Sequence, residues 1–206
     1  MLNDLRTFVE FLEQLRSVER AQAVLGSDPI RWENDVEHSY ILAMCVWYLN
    51  QKANLGLDTD KLLRYALVHD LVEAYAGDVN VYGRKAHSGE YVEKKKQRES
   101  KAFVRIKQEF PGQTGMFDAI EAYEERNDEE SKFVYSVDKL LPPLQITMDE
   151  GRSFHHFEEV LEETIETMKG RVDQHDQVAE MWQELVKEMR DQEGLFPKLS
   201  NEETRT

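Results

Sequence analysis

At 206 residues, 40% apolar and 33% charged, the chain can bury a full core without staples, and its one cysteine excludes a disulfide scaffold. A net charge of −15 counts against nucleic-acid backbone binding, which needs a basic footprint. The apolar runs are too short to span a membrane, and the opening residues Met1 to Leu5 lack the basic and apolar regions of a secretory leader, so a cytoplasmic location is expected.

With no Pro/Gly/Ser-rich linker, one domain over residues 1–206 is expected: a core over about 5–150, C-terminal helices over 155–192 and a frayed tail over 194–206. Leu5, Phe8, Leu12 and Leu15 recur at helical spacing and predict a first helix over 3–19 with one buried face. The turn-rich stretch Gly26 to Pro29 stops that pattern. Asn34 or Asp35 can cap a second helix to about residue 51, with Tyr40, Ile41, Met44 and Trp47 as apolar positions and Cys45 read as a core thiol. Asp58 or Thr59 then caps a third helix, which Gly77 ends. Further helices are expected over 90–109, 115–126, 130–141, 155–168 and 173–192, with Pro142 and Pro143 ending or kinking the one that carries Asp138. Trp182, Leu185, Val186 and Met189 form the packing face of the last. The fold class is all-α, a helical bundle.

The chemistry gathers on a few residues that interrupt apolar helix faces. His69 and Asp70 are adjacent within an apolar run, His38 lies on the preceding helix and Asp138 on a later one. Each alone has an ordinary reading: a histidine near a helix N-terminus, a hydrogen-bonded core pair, a solvated aspartate. Together they offer two imidazoles and two carboxylates, a set suited to one divalent first-row ion such as Mn2+, Co2+, Fe2+ or Zn2+. Glu73, one turn after His69, falls on the same side of a helix, where it can orient a water or take its proton. Asp78, after Gly77, can return toward the site as a second acid/base. Glu73 as a partner for a ligand histidine and Asp78 as a plain turn residue are the structural alternatives. Arg31 either pairs with Glu33 or Glu37 or holds a phosphate. Arg84 and Lys85 either close over an anion or belong to a solvated loop.

The pattern His38, His69-Asp70, Asp138 resembles the signature of the HD-domain metal-dependent phosphohydrolase superfamily. Three local strings, Arg31 to Ser39, His69 to Asp78 and Lys132 to Lys139, resemble its bacterial 5′-deoxynucleotidase-like branch, over roughly residues 5–150. The resemblance implies an HD helical bundle with metal at His38, His69, Asp70 and Asp138, catalytic Glu73 and Asp78, and a homodimer. Between Asp70 and Asp138 the one further histidine is His87, so one ion is expected rather than the two of relatives with extra histidines. Members of that branch carry an Arg-Trp or Gly-Trp pair ahead of the first metal histidine. Here Arg20 takes the place of the arginine, and Trp32 is the candidate substitute for the tryptophan.

The implied reaction is hydrolysis of a small phosphate monoester, a (deoxy)nucleoside 5′-monophosphate above all, with Arg20, Arg31 and Trp32 as substrate-binding candidates. A phosphohydrolase acting on dNTPs or guanosine polyphosphates is the second reading, although the sparse loop cations suit extra phosphates poorly. A non-catalytic nucleotide-binding module is the third.

Overall fold

The computed structural model describes residues 1–77 and 89–198, with backbone alone for 89–92. In chain order the elements are α1 (Leu2–Arg16), β1 (Glu19–Ala23), β2 (Trp32–Asn34), α2 (Asp35–Lys52), α3 (Thr59–Val68), α4 (Glu73–Ala76), α5 (Gly89–Glu109), α6 (Thr114–Glu125), α7 (Glu129–Met148), α8 (Arg152–His156), α9 (Leu161–Met168) and α10 (Asp176–Asp191). The helical architecture is the expected one. What periodicity missed is the small antiparallel pair β1–β2, in register at Glu19 with Asn34 and Ala23 with Trp32. Strands this short carry too few residues to show alternation, and an irregularity in their register blurs what little there is.

The helices α2, α3 and α7 pack against one another, and the rest of the bundle wraps this group. Their shared interior is filled by Leu42 and Val46 of α2, Leu62 and Ala66 of α3, and Phe133, Val134 and Val137 of α7, all fully enclosed. Burying such side chains stabilises by roughly 1.5–3 kcal/mol each, which is what holds three polar-bearing helices face to face. No helix among the described residues is long and apolar enough to cross a membrane.

Several expected faces and boundaries shift. On α1 the buried residues are Phe11 and Leu15, with Phe8 and Leu12 only partly covered and Leu5 exposed. Helix α2 is apolar around most of its circumference, so composition does not choose its inner face. The buried set is Asp35, His38, Ser39, Leu42, Ala43, Val46 and Asn50, while Tyr40, Met44 and Trp47 face outward. Cys45 is half-buried rather than part of the core. Helix α7 runs through Pro142 and Pro143 to Met148, correcting the expected end near residue 141. The two rings remove amide donors that would have met the carbonyls of Asp138 and Lys139. Packing of α7 against α2, α3, α6 and α10 carries the helix past that loss. The helix expected over 155–168 is two pieces, α8 and α9.

The chain also stays packed beyond Gly194, where fraying was expected. Leu195 is buried, and Phe196 stacks on Phe154 with ring centroids 4.4 Å apart. Gly151 permits this approach: at φ 76° it lies in the left-handed region, and a Cβ there would collide with the Leu195 carbonyl.

Candidate metal centre

Each helix delivers its polar residue from a terminus fixed by local chemistry. Asn34 caps α2 by accepting from the amides of Val36 and Glu37 at 3.1 and 3.0 Å, and Glu37 accepts in return from the Asn34 amide at 3.3 Å. This reciprocal cap holds His38 at the end of the first turn, facing inward. Asp58 caps α3 through Asp60 and Lys61. That helix ends at the doublet, not beyond it: His69 is its C-terminal cap, and the chain passes through tight turns (Leu71 amide to Val68 carbonyl 3.1 Å, Glu73 amide to Asp70 carbonyl 2.8 Å) into the short α4. The one long helix expected here is therefore two. Gly77, at φ 73°, closes α4. Asp128 caps α7 by accepting from the Ser131 amide at 2.7 Å, and Asp138 lies further along the buried face.

His38, His69 and Asp138 meet at the junction of α2, α3 and α7, all buried, with one donor atom of each within 4.8 Å of the others. His38 Nε2 is 2.9 Å from Asp138 Oδ1, and His69 Nε2 is 3.8 Å from the same oxygen. His69 Nε2 also lies 2.8 Å from Asp70 Oδ2. Asp70 itself falls in a second group, with Asp35 and Glu73, whose oxygens approach one another as closely. Arg20 Nη1 spans two members of that group, 2.7 Å from Asp70 Oδ2 and 3.0 Å from Asp35 Oδ1.

The charges at the centre hold one another ionised. Burial opposes the Asp138 carboxylate, but Lys139, His38 and His69 outweigh it and keep Asp138 well below the usual carboxylate range. Asp70 is likewise depressed, burial being overcome by His69 and Arg20. Burial and the Arg20 charge act against a proton on His38, yet Asp138 and Glu33 prevail and raise its pKa. Burial would discharge Lys139, and Asp138, Tyr135 and Asp70 reverse that, raising it. The Tyr123 hydroxyl is pushed well up by burial and the nearby Asp138 and Asp70 charges, and its ring stands edge-on to His69 at 6.0 Å.

Of the residues singled out from sequence, the structure brings together His38, His69, Asp70, Asp138 and, beside Asp70, Glu73 and Arg20. Glu73 is buried, with Lys95 Nζ 3.8 Å from its Oε1. Two substrate-binding candidates have other partners in the structure. Arg31 is exposed and chelated by Glu37, Nη1 lying 2.9 and 2.8 Å from its two carboxylate oxygens, so the ion-pair alternative is the one formed. Trp32 packs its ring on His156 and Phe157, at 4.8 and 5.4 Å, away from the donor cluster, because it projects from the opposite side of β2 to Glu33. Asp78, Arg84, Lys85 and His87 lie outside the described residues. Sequence reasoning missed Glu33, Asp35, Tyr123, Lys95 and Lys139. Glu33 Oε2 is 3.4 Å from His38 Nδ1, and Glu33 Oε1 accepts from Gln145.

The donor set fits a divalent ion, and His69 carries the test. Its Nδ1 is 2.9 Å from the Ala66 carbonyl, which can only accept, so Nδ1 carries a proton and Nε2 is the nitrogen turned toward the carboxylates of Asp70 and Asp138. That buried Nε2 makes no hydrogen bond. A nitrogen this close to carboxylate oxygens is matched by a positive centre, and a divalent ion bound by the imidazoles and carboxylates supplies one. Fixing the far nitrogen on a carbonyl is also how metal-binding histidines are oriented.

Comparison with known proteins agrees with this geometry. The HD domain family profile matches residues 12–184. The 5′-deoxynucleotidase HDDC2 of Dictyostelium discoideum is 32% identical over 120 residues, 55% of this chain. The chain spans 60% of the length of that curated relative. A crystal structure of a predicted metal-dependent phosphohydrolase from Magnetospirillum magnetotacticum MS-1 superposes with a TM-score of 0.77 at 25% identity, covering 95% of this chain and 96% of the other.

Proposed function

The chain belongs to the HD domain family of metal-dependent phosphohydrolases, and within it we propose a 5′-nucleotidase that releases phosphate from (deoxy)nucleoside 5′-monophosphates. The observation that carries the reading is the convergence of His38, His69 and Asp138 on one point, beside a buried carboxylate, Glu73, that is not one of the three. The activity named for the Dictyostelium relative supports the nucleotide part.

In this reading His38, His69, Asp70 and Asp138 hold one divalent ion, Mn2+, Co2+, Fe2+ or Zn2+. When bound, the ion supplies Lewis-acid polarisation of a phosphoryl oxygen and makes an adjacent water more acidic. Glu73 accepts that water's proton at a carboxylate oxygen as the water oxygen attacks phosphorus in line. The bond from phosphorus to the 5′-oxygen breaks, and Asp78 returns a proton to the departing nucleoside. Arg20 balances the charge spreading over the phosphoryl oxygens. The buried setting of Glu73 limits the bulk water that can compete for its proton. The reading includes one domain over the whole chain, a cytoplasmic location and a homodimer, which mass measurement in solution tests.

A panel of nucleoside mono-, di- and triphosphates, assayed with each ion, tests the proposal by product. Orthophosphate and nucleoside from the monophosphates is the expected result, and Glu73→Ala is expected to lower turnover by about a hundredfold or more while the metal stays bound. Tripolyphosphate or pyrophosphate as product moves the assignment to a dNTP or guanosine-polyphosphate hydrolase. Tight nucleotide binding without turnover under every ion makes the chain a binding module.

A further inference from the structure

Asp138 divides its two oxygens between different neighbours. Oδ1 faces the imidazoles, while Oδ2 is 2.6 Å from the Nζ of Lys139, the next residue in α7. The donors are sealed, with side-chain exposures of 0% for His38, 1% for His69 and 2% for Asp138, yet the Lys139 side chain is 29% exposed. The Lys139 side chain therefore runs from the buried Asp138 carboxylate toward the surface, partly open where the donors are closed. The Tyr135 ring, one turn back on the same helix, flanks it at 5.3 Å from the centroid. Among the described residues two other cations touch the acidic groups. Arg20 is engaged by both Asp35 and Asp70, and Lys95 by both Glu73 and Glu99, whereas Lys139 has one carboxylate within 4.0 Å.

We propose that Lys139 is a direct ligand of the substrate's phosphate, binding a phosphoryl oxygen at the mouth of the centre. The proposal rests on the phosphohydrolase reading and adds to it a residue for the transferred group. A phosphate monoester brings close to two negative charges to a site already lined by carboxylates, and Arg20 divides its charge between Asp35 and Asp70, so the substrate needs a cation besides the ion and Arg20. An ammonium is a compact point charge with three donors, and Asp138 Oδ2 occupies one of them. Adjacency to Asp138 in a packed helix fixes that charge in place before substrate arrives.

The test compares the full-length protein with Lys139→Met and Lys139→Arg, each loaded with Mn2+. Inorganic phosphate is titrated by calorimetry, and Mn2+ affinity is measured separately by electron paramagnetic resonance. Lys139→Met is expected to weaken phosphate about tenfold or more while Mn2+ binds as tightly as before, and Lys139→Arg to keep most of the phosphate affinity. Phosphate binding within about twofold of wild type in Lys139→Met overturns the proposal. So does a parallel loss of Mn2+ and phosphate affinity, since Lys139 would then only support Asp138, and so does a wild-type protein that binds no phosphate. If Lys139→Met fails to fold, Lys139→Gln carries the same comparison with a polar, uncharged tip. The titration needs no turnover: a protein that holds phosphate through Lys139 but hydrolyses no nucleotide loses the 5′-nucleotidase assignment and keeps this one.

Discussion

His69 directs Nε2 at Oδ2 of its own chain neighbour, Asp70, 2.8 Å away, with Asp138 Oδ1 3.8 Å from the same nitrogen. A divalent ion bound by these groups in the folded chain alone is expected to stabilise the fold. Mn2+ held at a hundred times its Kd is expected to raise the unfolding free energy by about 2.7 kcal/mol. His69→Gln and Asp138→Asn are expected to lose most of that gain. Urea denaturation with Mn2+ and with a chelator measures it, and equal midpoints in wild type would remove the metal centre from the account.

Arg20 carries a second load. Its guanidinium, only 14% exposed, bridges Asp70 and the fully buried Asp35. Arg20→Met strips a guanidinium from a carboxylate that has no route to solvent, and is expected to cost about 3 kcal/mol in the urea midpoint. Arg20→Lys recovers part of this, because one ammonium cannot reproduce the fork across two carboxylates. A midpoint unchanged in Arg20→Met would mean Asp35 is held by other groups.

Acid stability is expected to turn on Asp128. Burial pushes its carboxyl up, but donation from the Ser131 amide and hydroxyl, the Tyr65 hydroxyl and Lys61 brings it down to about 2 from an ordinary 3.8. A folded pKa below the unfolded one means the stabilisation is complete above 3.8 and disappears as pH falls through about 2. Asp128→Asn keeps the helix cap and removes the charge. With the group 31% exposed and partly screened, the variant is expected to be about 1 kcal/mol less stable at neutral pH and to match wild type near pH 2. A deficit that does not shrink on acidification would assign the effect to the cap.

Gly151→Ala tests the closure of the C-terminal segment over α8. The substitution adds a Cβ to a residue at φ 76° and drives it into the Leu195 carbonyl. A loss of about 2–3 kcal/mol is expected, with early proteolytic cleavage after residue 191 as Leu195 and Phe196 detach. Resistance to protease equal to wild type would show that the segment can shift without releasing its anchor.

The metal-type donors were legible because they break a rule that sequence makes visible. His38, His69 and Asp138 sit where apolar residues belong, and three such exceptions in a helical chain have few common explanations. Their surroundings broke no rule. Glu33 and Asp35 flank a helix-capping asparagine, where acids are ordinary, and Lys139 reads as a lysine on the outer side of a helix. Their meaning arises from partners distant in the chain: Arg20 reaches Asp70 across 50 positions, and His38 meets Asp138 across 100. The inner face of α2 was illegible for another reason. Apolar residues surround that helix, so the side carrying His38 turned inward while Tyr40, Met44 and Trp47 stayed at the surface. Pro142 and Pro143 misled because a local helix-breaking preference is weaker than packing along the whole length of α7.

The hundred-residue separation between His38 and Asp138 also orders events during synthesis. A ribosome has emitted both imidazoles and everything through α6 before the carboxylate that joins them leaves the exit tunnel. An ion that requires all three donors is captured only by a chain grown past α7. A truncated product stopping before Asp138 lacks the carboxylate that completes the three-donor cluster.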